Sequence, residues 1–126
     1  MKTISTKMGM ALDDFIRLYD QEGPFELVDG ERIPVVPTVM KHNLTTKRLF
    51  AAFLGYEQTR KTGEAFFEAP FVLADKPDWV TGSRVPDAMF YRAERLATYR
   101  ATMPDWENKP MALVPDLVVE IISGSV

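Results

Sequence analysis

Val114-Pro115-Asp116-Leu117-Val118-Val119-Glu120-Ile121-Ile122 is the most telling segment of this 126-residue chain. Leu, Val and Ile on both faces read as a strand covered on two sides, in the middle of a sheet. Glu120 interrupts that run. An ionised carboxylate in such a place is costly unless something positive meets it. Two partners fit at this level: a cation, or a nearby arginine such as Arg84 or Arg92. Earlier in the chain Val85-Pro86-Asp87 opens a second strand in the same way, since proline is tolerated at a first strand position. Asp87 either joins Glu120 or caps a turn through local backbone donors. Asp116 is expected to cap the entry of its strand.

Outward from these two strands, Met10 to Tyr19 places Leu12, Phe15, Ile16 and Tyr19 at helical spacing, with Asp13 and Asp14 in the first turn. Gly23-Pro24 ends this helix. Phe25 to Val28, Asp29-Gly30 and Arg32 to Val36 predict a hairpin, with Pro34 and Pro37 marking an edge or the strand's end. Lys41 to Thr62 carries Leu44, Leu49, Phe50, Phe53, Leu54 and Tyr56 on an apolar helix face, and Gly63 suits the left-handed position after its end. Glu64 to Ala74 and Arg84 to Arg92 are strands joined by the turn-rich Asp75-Lys76-Pro77-Asp78 and Thr81-Gly82-Ser83, with Trp79 in that loop. Ala93 to Met103 is helical, Pro104 to Lys109 with Trp106 is loop, and Leu117 to Ile122 is the last strand. There is no internal repeat. The order predicts an α/β (α+β) fold in a single domain spanning 1–126.

Composition adds mostly exclusions. The chain has no cysteine, so disulfides, thiolate metal sites and cysteine nucleophiles are ruled out. No apolar stretch approaches the twenty residues of a membrane span. No secretory pattern follows Met1 to Lys7, and a cytoplasmic protein is expected. Acidic residues number 18 against 15 basic ones, a net charge of −3, unlike a protein that grips nucleic acid by bulk charge. The distribution is nevertheless uneven: acids crowd Asp13 to Glu31, and Lys41, Lys47, Arg48, Arg60 and Lys61 gather on the long helix. That helix either carries phosphate contacts or simply has a solvated face. His42, the only histidine, opens it and is read as a helix cap or core contact, or as a phosphate contact.

Asp87 and Glu120 on adjacent strands would make an oxygen-rich site suited to Mg²⁺ or Mn²⁺. Such an ion lowers the pKa of a bound water and neutralises charge on a phosphate. The simplest Glu-x-Lys arrangement is absent, because Ile122 stands two residues after Glu120.

Phe25-Glu26-Leu27-Val28-Asp29-Gly30-Glu31, His42, Val85-Pro86-Asp87-Ala88-Met89-Phe90 and Pro115 to Ser123 occur in an order that resembles the Uma-type putative restriction endonuclease family of bacteria. The resemblance implies a restriction-endonuclease-like mixed β-sheet flanked by helices, within the P-D…(D/E)-x-K nuclease superfamily. It implies a Mg²⁺- (or Mn²⁺-) dependent DNA endonuclease in which Asp87 and Glu120 are metal ligands, the Ile121 carbonyl is a third, and Glu26 is a further catalytic acid. For a nucleic-acid substrate, the basic charge at the start of the long helix makes Lys41, His42, Lys47 and Arg48 the expected DNA contacts. Members of the family continue into a helix bearing a lysine, whereas this chain gives Ser123-Gly124-Ser125-Val126. The expectation is therefore a C-terminally shortened member that pairs as a homodimer, with an inactive nuclease-fold binding or assembly module, or a purely structural oligomer, as the alternatives.

Overall fold

The structure is a computed structural model and describes residues 8–122. The segments Met1 to Lys7 and Ser123 to Val126, on which the leader and Ser-Gly-Ser readings fall, lie outside the described residues.

Two antiparallel sheets share the chain. β1 (Met10–Ala11), β2 (Phe25–Val28), β3 (Glu31–Pro34), β5 (Phe71–Lys76) and β6 (Trp79–Arg84) form one, with β6 paired to β1, β2 and β5. β4 (Gly63–Phe67), β7 (Ala88–Arg92) and β8 (Leu117–Val119) form the other, with β7 in the centre. Among the described residues three α-helices pack against them: α1 (Leu12–Glu22), α2 (Met40–Arg60) and α3 (Ala93–Thr102). The expected α+β class, a sheet structure flanked by helices, is what the chain adopts; its ladders are antiparallel, and among the described residues the one parallel pairing is an isolated bridge from Phe71 to Met111.

Each sheet has its own core. Alternation along β2 turns Phe25 and Leu27 inward against Phe15 of α1, Val72 and Val80, all nearly inaccessible to water. Burying side chains of this size contributes roughly 1.5–3 kcal/mol each before entropy is counted. The turn Asp29-Gly30 takes positive φ at both positions, 50° and 84°, as a tight hairpin demands. In the smaller sheet Met89 and Tyr91 of β7 face Leu96 of α3, whereas Phe90 and Phe67 face Phe53 of α2.

Several elements depart from the sequence reading, each for a visible reason. The expected strand Glu64 to Ala74 is broken into β4 and β5, because Glu68 adopts a left-handed φ of 53° just before Ala69-Pro70. Val85-Pro86 likewise splits Arg84 to Arg92, and both breaks carry the chain from one sheet to the other. Thr81-Gly82-Ser83 is strand rather than turn, and buried Ser83 is satisfied by accepting the Leu27 N–H at 2.9 Å. Trp79 opens β6, and Trp106 lies in a short 3₁₀ turn, Trp106–Asn108. Lys61, not Gly63, holds the left-handed position after α2. Gly63 begins β4 under the Tyr91 carbonyl, where a Cβ would clash.

The last strand also differs. Among the described residues β8 pairs only with β7 and is not a covered central strand; Leu117 and Val118 are 49% and 43% exposed. α2 is similarly half-dressed. Its inward stripe runs through His42, Thr46, Leu49, Phe53 and Glu57, leaving Leu44, Phe50 and Leu54 largely in solvent.

Candidate functional site

The ladder register builds the site. β4 and β7 pair Phe67 with Ala88, and β7 and β8 pair Ala88 with Val119. One step further along both ladders, Glu68, Asp87 and Glu120 stand side by side at the end of the three-stranded sheet. The Glu68 N–H donates to the Asp87 carbonyl at 3.2 Å, and the Asp87 N–H points to Glu120 Oε1 at 3.4 Å. Glu26 arrives from the other sheet: it lies on the face of β2 opposite Phe25 and Leu27, and its Oε2 accepts the Val85 N–H at 2.8 Å.

Asp87 is held on both oxygens. Oδ1 lies 3.0 Å from His42 Nε2, and Oδ2 accepts the Ile121 N–H at 2.6 Å. With Asp87 ionised, the imidazole donates through Nε2; Nδ1 is buried and has no hydrogen-bond partner among the described residues. A carboxylate has four acceptor directions, so two remain on Asp87 for another ligand.

Glu26, His42, Val85, Asp87 and Glu120 line one cleft of about 480 Å³ together with the Ile33 to Val39 segment. Its charge is unbalanced. Among the described residues no lysine or arginine pairs with Glu26, Glu68, Asp87 or Glu120. The arginines weighed for Glu120 are engaged elsewhere: Arg84 donates to the Leu27 and Ser83 carbonyls, and Arg92 pairs with Glu94. Burial, followed by the charge and side chain of Asp87 and the charge of Glu26, pushes the Glu120 carboxyl above its usual range, against the pull of the Asp87 N–H. Glu120 is still open to water, which screens part of that repulsion.

The donor set is carboxylate oxygen with one imidazole near it, and His42, Glu68 and Asp87 each offer an atom within 4.8 Å of the others. That chemistry fits a hard divalent cation of the Mg²⁺ or Mn²⁺ kind. The structure thus brings together Glu26, Asp87 and Glu120 as the sequence suggested. For Ile121 it shows the N–H on Asp87. Asp116 sits at the other end of the ladder, accepting the Arg92 N–H at 2.8 Å and pairing with Arg95 at 3.0 Å, as a strand cap.

The α2 residues separate. His42 is 7% exposed and turned to Asp87, whereas Lys41, Lys47 and Arg48 are exposed and form no ion pair among the described residues. At 100° per residue Lys41 and Arg48 share a face, and Lys47 lies well round the helix from them. Glu68 was missed by the sequence reading. The signal was an acid immediately before Ala69-Pro70, where a strand must break.

The family model for Uma2, described as "Putative restriction endonuclease", matches residues 12–125. The chain belongs to the Uma2 family. Among solved structures, this Uma2 chain is similar to a putative nuclease belonging to DUF820 from Anabaena variabilis ATCC 29413, with a TM-score of 0.62 and 24% identity. The match covers 90% of this chain and 59% of the Anabaena protein, so the two share a fold over rather more than half of the longer molecule. No curated protein matches the chain. No helix among the described residues is long and apolar enough to cross a membrane.

Proposed function

We propose that this chain is a divalent-metal-dependent DNA endonuclease domain whose site is the carboxylate cluster at the end of the β4-β7-β8 sheet. The observation that carries the reading is Asp87: it is oriented by His42 and by the Ile121 N–H, set beside Glu120, and left without a cationic side chain in a Uma2 family member. Asp87 and Glu120 would hold Mg²⁺ or Mn²⁺, with the Ile121 carbonyl as a further ligand. When bound, the ion supplies an acidified water and a positive charge beside the scissile phosphate. Glu26, its Oε2 fixed on Val85, directs its remaining acceptor capacity to the cleft and orients the attacking water. Lys41 and Arg48 contact the DNA backbone from one face of α2, where phosphate contacts position the duplex without reading its sequence.

The test uses plasmid and single-stranded DNA with Mg²⁺, Mn²⁺ or EDTA. Cleavage is expected with either ion, is abolished by EDTA, and disappears in Asp87→Ala and Glu120→Ala. Nicking that survives in those two variants places the chemistry elsewhere.

A second reading has its own support: among the described residues no lysine lines the cleft, the group that would ordinarily help polarise the water. In that reading the chain binds metal and DNA without cutting. Metal-dependent DNA binding without product separates the two. We also infer self-association through exposed Leu117 and Val118 of β8 and the neighbouring groove of Leu49, Phe53, Tyr56 and Phe90. Light scattering at dilute concentration that finds only a 14.3 kDa particle removes this inference.

A further inference from the structure

We propose that Glu68 is a ligand of the same cation as Asp87, so that the third carboxylate of the site comes from the β4–β5 break and not from the hairpin acid Glu26. This assignment rests on the metal-dependent reading above.

Position comes first. Glu68 is the residue that follows the last β4–β7 pair, and its N–H is anchored on the Asp87 carbonyl at 3.2 Å, so its place relative to Asp87 is set by backbone. A carboxylate oxygen of Glu68 lies within 4.8 Å of ligand atoms on both Asp87 and His42. The second point is availability. Glu68 has no side-chain hydrogen bond or ion pair among the described residues, whereas one oxygen of Glu26 is committed to the Val85 N–H. Glu68 is exposed, so water screens part of its charge, and a divalent ion at this edge of the sheet would be met by two carboxylates at once.

His42 fixes the neighbouring ligand. Its side chain is only 6% exposed and lines the cleft, and its Nε2 lies 3.0 Å from Asp87 Oδ1, so the carboxylate that Glu68 faces is held in one orientation. With Nε2–H on Oδ1, His42 acts as a positioning residue: it fixes the carboxylate plane of Asp87 and leaves ligation to the carboxylates, with Glu68 and Asp87 within reach of one ion.

The experiment is Mn²⁺ titration by calorimetry, with electron paramagnetic resonance of free Mn²⁺ as a second readout, on the parent chain and on Glu68→Gln, Glu26→Gln, Asp87→Asn and Glu107→Gln. Glu107 lies in the 3₁₀ turn, away from the cleft. Glu68→Gln is expected to weaken Mn²⁺ binding at least tenfold, Asp87→Asn more, Glu26→Gln by clearly less, and Glu107→Gln not at all. The melting temperature of metal-free Glu68→Gln should equal or exceed the parent's, because a like charge beside Asp87 has gone, and that measurement shows whether the variant is folded. Parental affinity in Glu68→Gln, or a larger loss in Glu26→Gln, overturns the assignment while leaving the metal site standing. If the parent itself takes up no Mn²⁺, the proposed function fails with it.

Discussion

Val85-Pro86-Asp87 and Val114-Pro115-Asp116 are spelled alike, and each aspartate stands immediately before a strand, β7 in one case and β8 in the other. Their surroundings have little in common. Because β7 and β8 run antiparallel, equivalent entry positions fall at opposite ends of the ladder. Asp87 meets Glu68, Glu120 and His42, whereas Asp116 meets the Arg92 N–H and Arg95. The backbone hydrogen bond from Arg92, helped by Arg95 and Arg92, holds the Asp116 carboxyl below the usual aspartate range. A tripeptide thus fixes how the strand begins; strand direction decides whether its acid is a cap or joins the carboxylate cluster.

Neutralising each acid in turn is the strongest way to break this comparison. Asp87→Asn should abolish the Mn²⁺-induced rise in melting temperature, since a ligand that binds only the folded state stabilises it by mass action. Activity, where present, should fall by about 100-fold or more. Asp116→Asn should lower the metal-free melting temperature and leave the Mn²⁺ increment intact. Equal metal responses in the two variants would show that the ladder ends are not functionally distinct.

His42→Phe sharpens the same contrast at the next scale down. The ring volume is kept and the Asp87 Oδ1 contact is lost, so Mn²⁺ affinity should drop about 10- to 100-fold, as is typical when an orienting partner of a metal ligand is removed. Stability should change by about 1–2 kcal/mol at most, the cost of one unmet hydrogen bond. Unchanged Mn²⁺ affinity by calorimetry would reduce His42 to a packing residue.

The convergence of Asp87 and Glu120 was legible because proline-led strand entries and an acid inside an apolar run are local signals. Glu68 was hidden by the opposite circumstance. While Glu64 to Ala74 reads as one strand, Glu68 is an unremarkable mid-strand residue; only a left-handed turn at that position, an uncommon conformation for glutamate, makes it the residue facing Asp87. The His42–Asp87 contact spans 45 positions and depends on which face of α2 turns inward. That face was misjudged, since Leu44, Leu49, Phe50, Phe53, Leu54 and Tyr56 cover too wide an arc to specify one direction. A continuous apolar run likewise cannot distinguish a strand covered on both sides from β8, whose apolar side chains stand exposed.

The smallest effect separates the two ends by pH. For Asp116 the folded-state pKa lies below the ordinary value of 3.8, so its ionisation adds stability that is fully present above that value and is lost as pH falls through the folded pKa. Glu120 has the opposite sign. Its folded pKa lies above the ordinary 4.5, so ionised Glu120 destabilises the metal-free protein; that cost is absent below 4.5 and complete once pH exceeds the raised value. Glu120→Gln should therefore melt above the parent at neutral pH in EDTA, and the two curves should merge as pH drops below the ordinary glutamate range. Asp116→Asn should melt below the parent at neutral pH and approach it only in stronger acid. Saturating Mn²⁺ reverses the first difference and not the second, because a bound cation stabilises the ionised form of Glu120 and does not touch Asp116. Parallel melting curves for parent and Glu120→Gln across the whole range would mean that neither burial nor the Asp87 and Glu26 charges raise the Glu120 carboxyl, and the crowding of acids at that end of the ladder would lose its electrostatic basis.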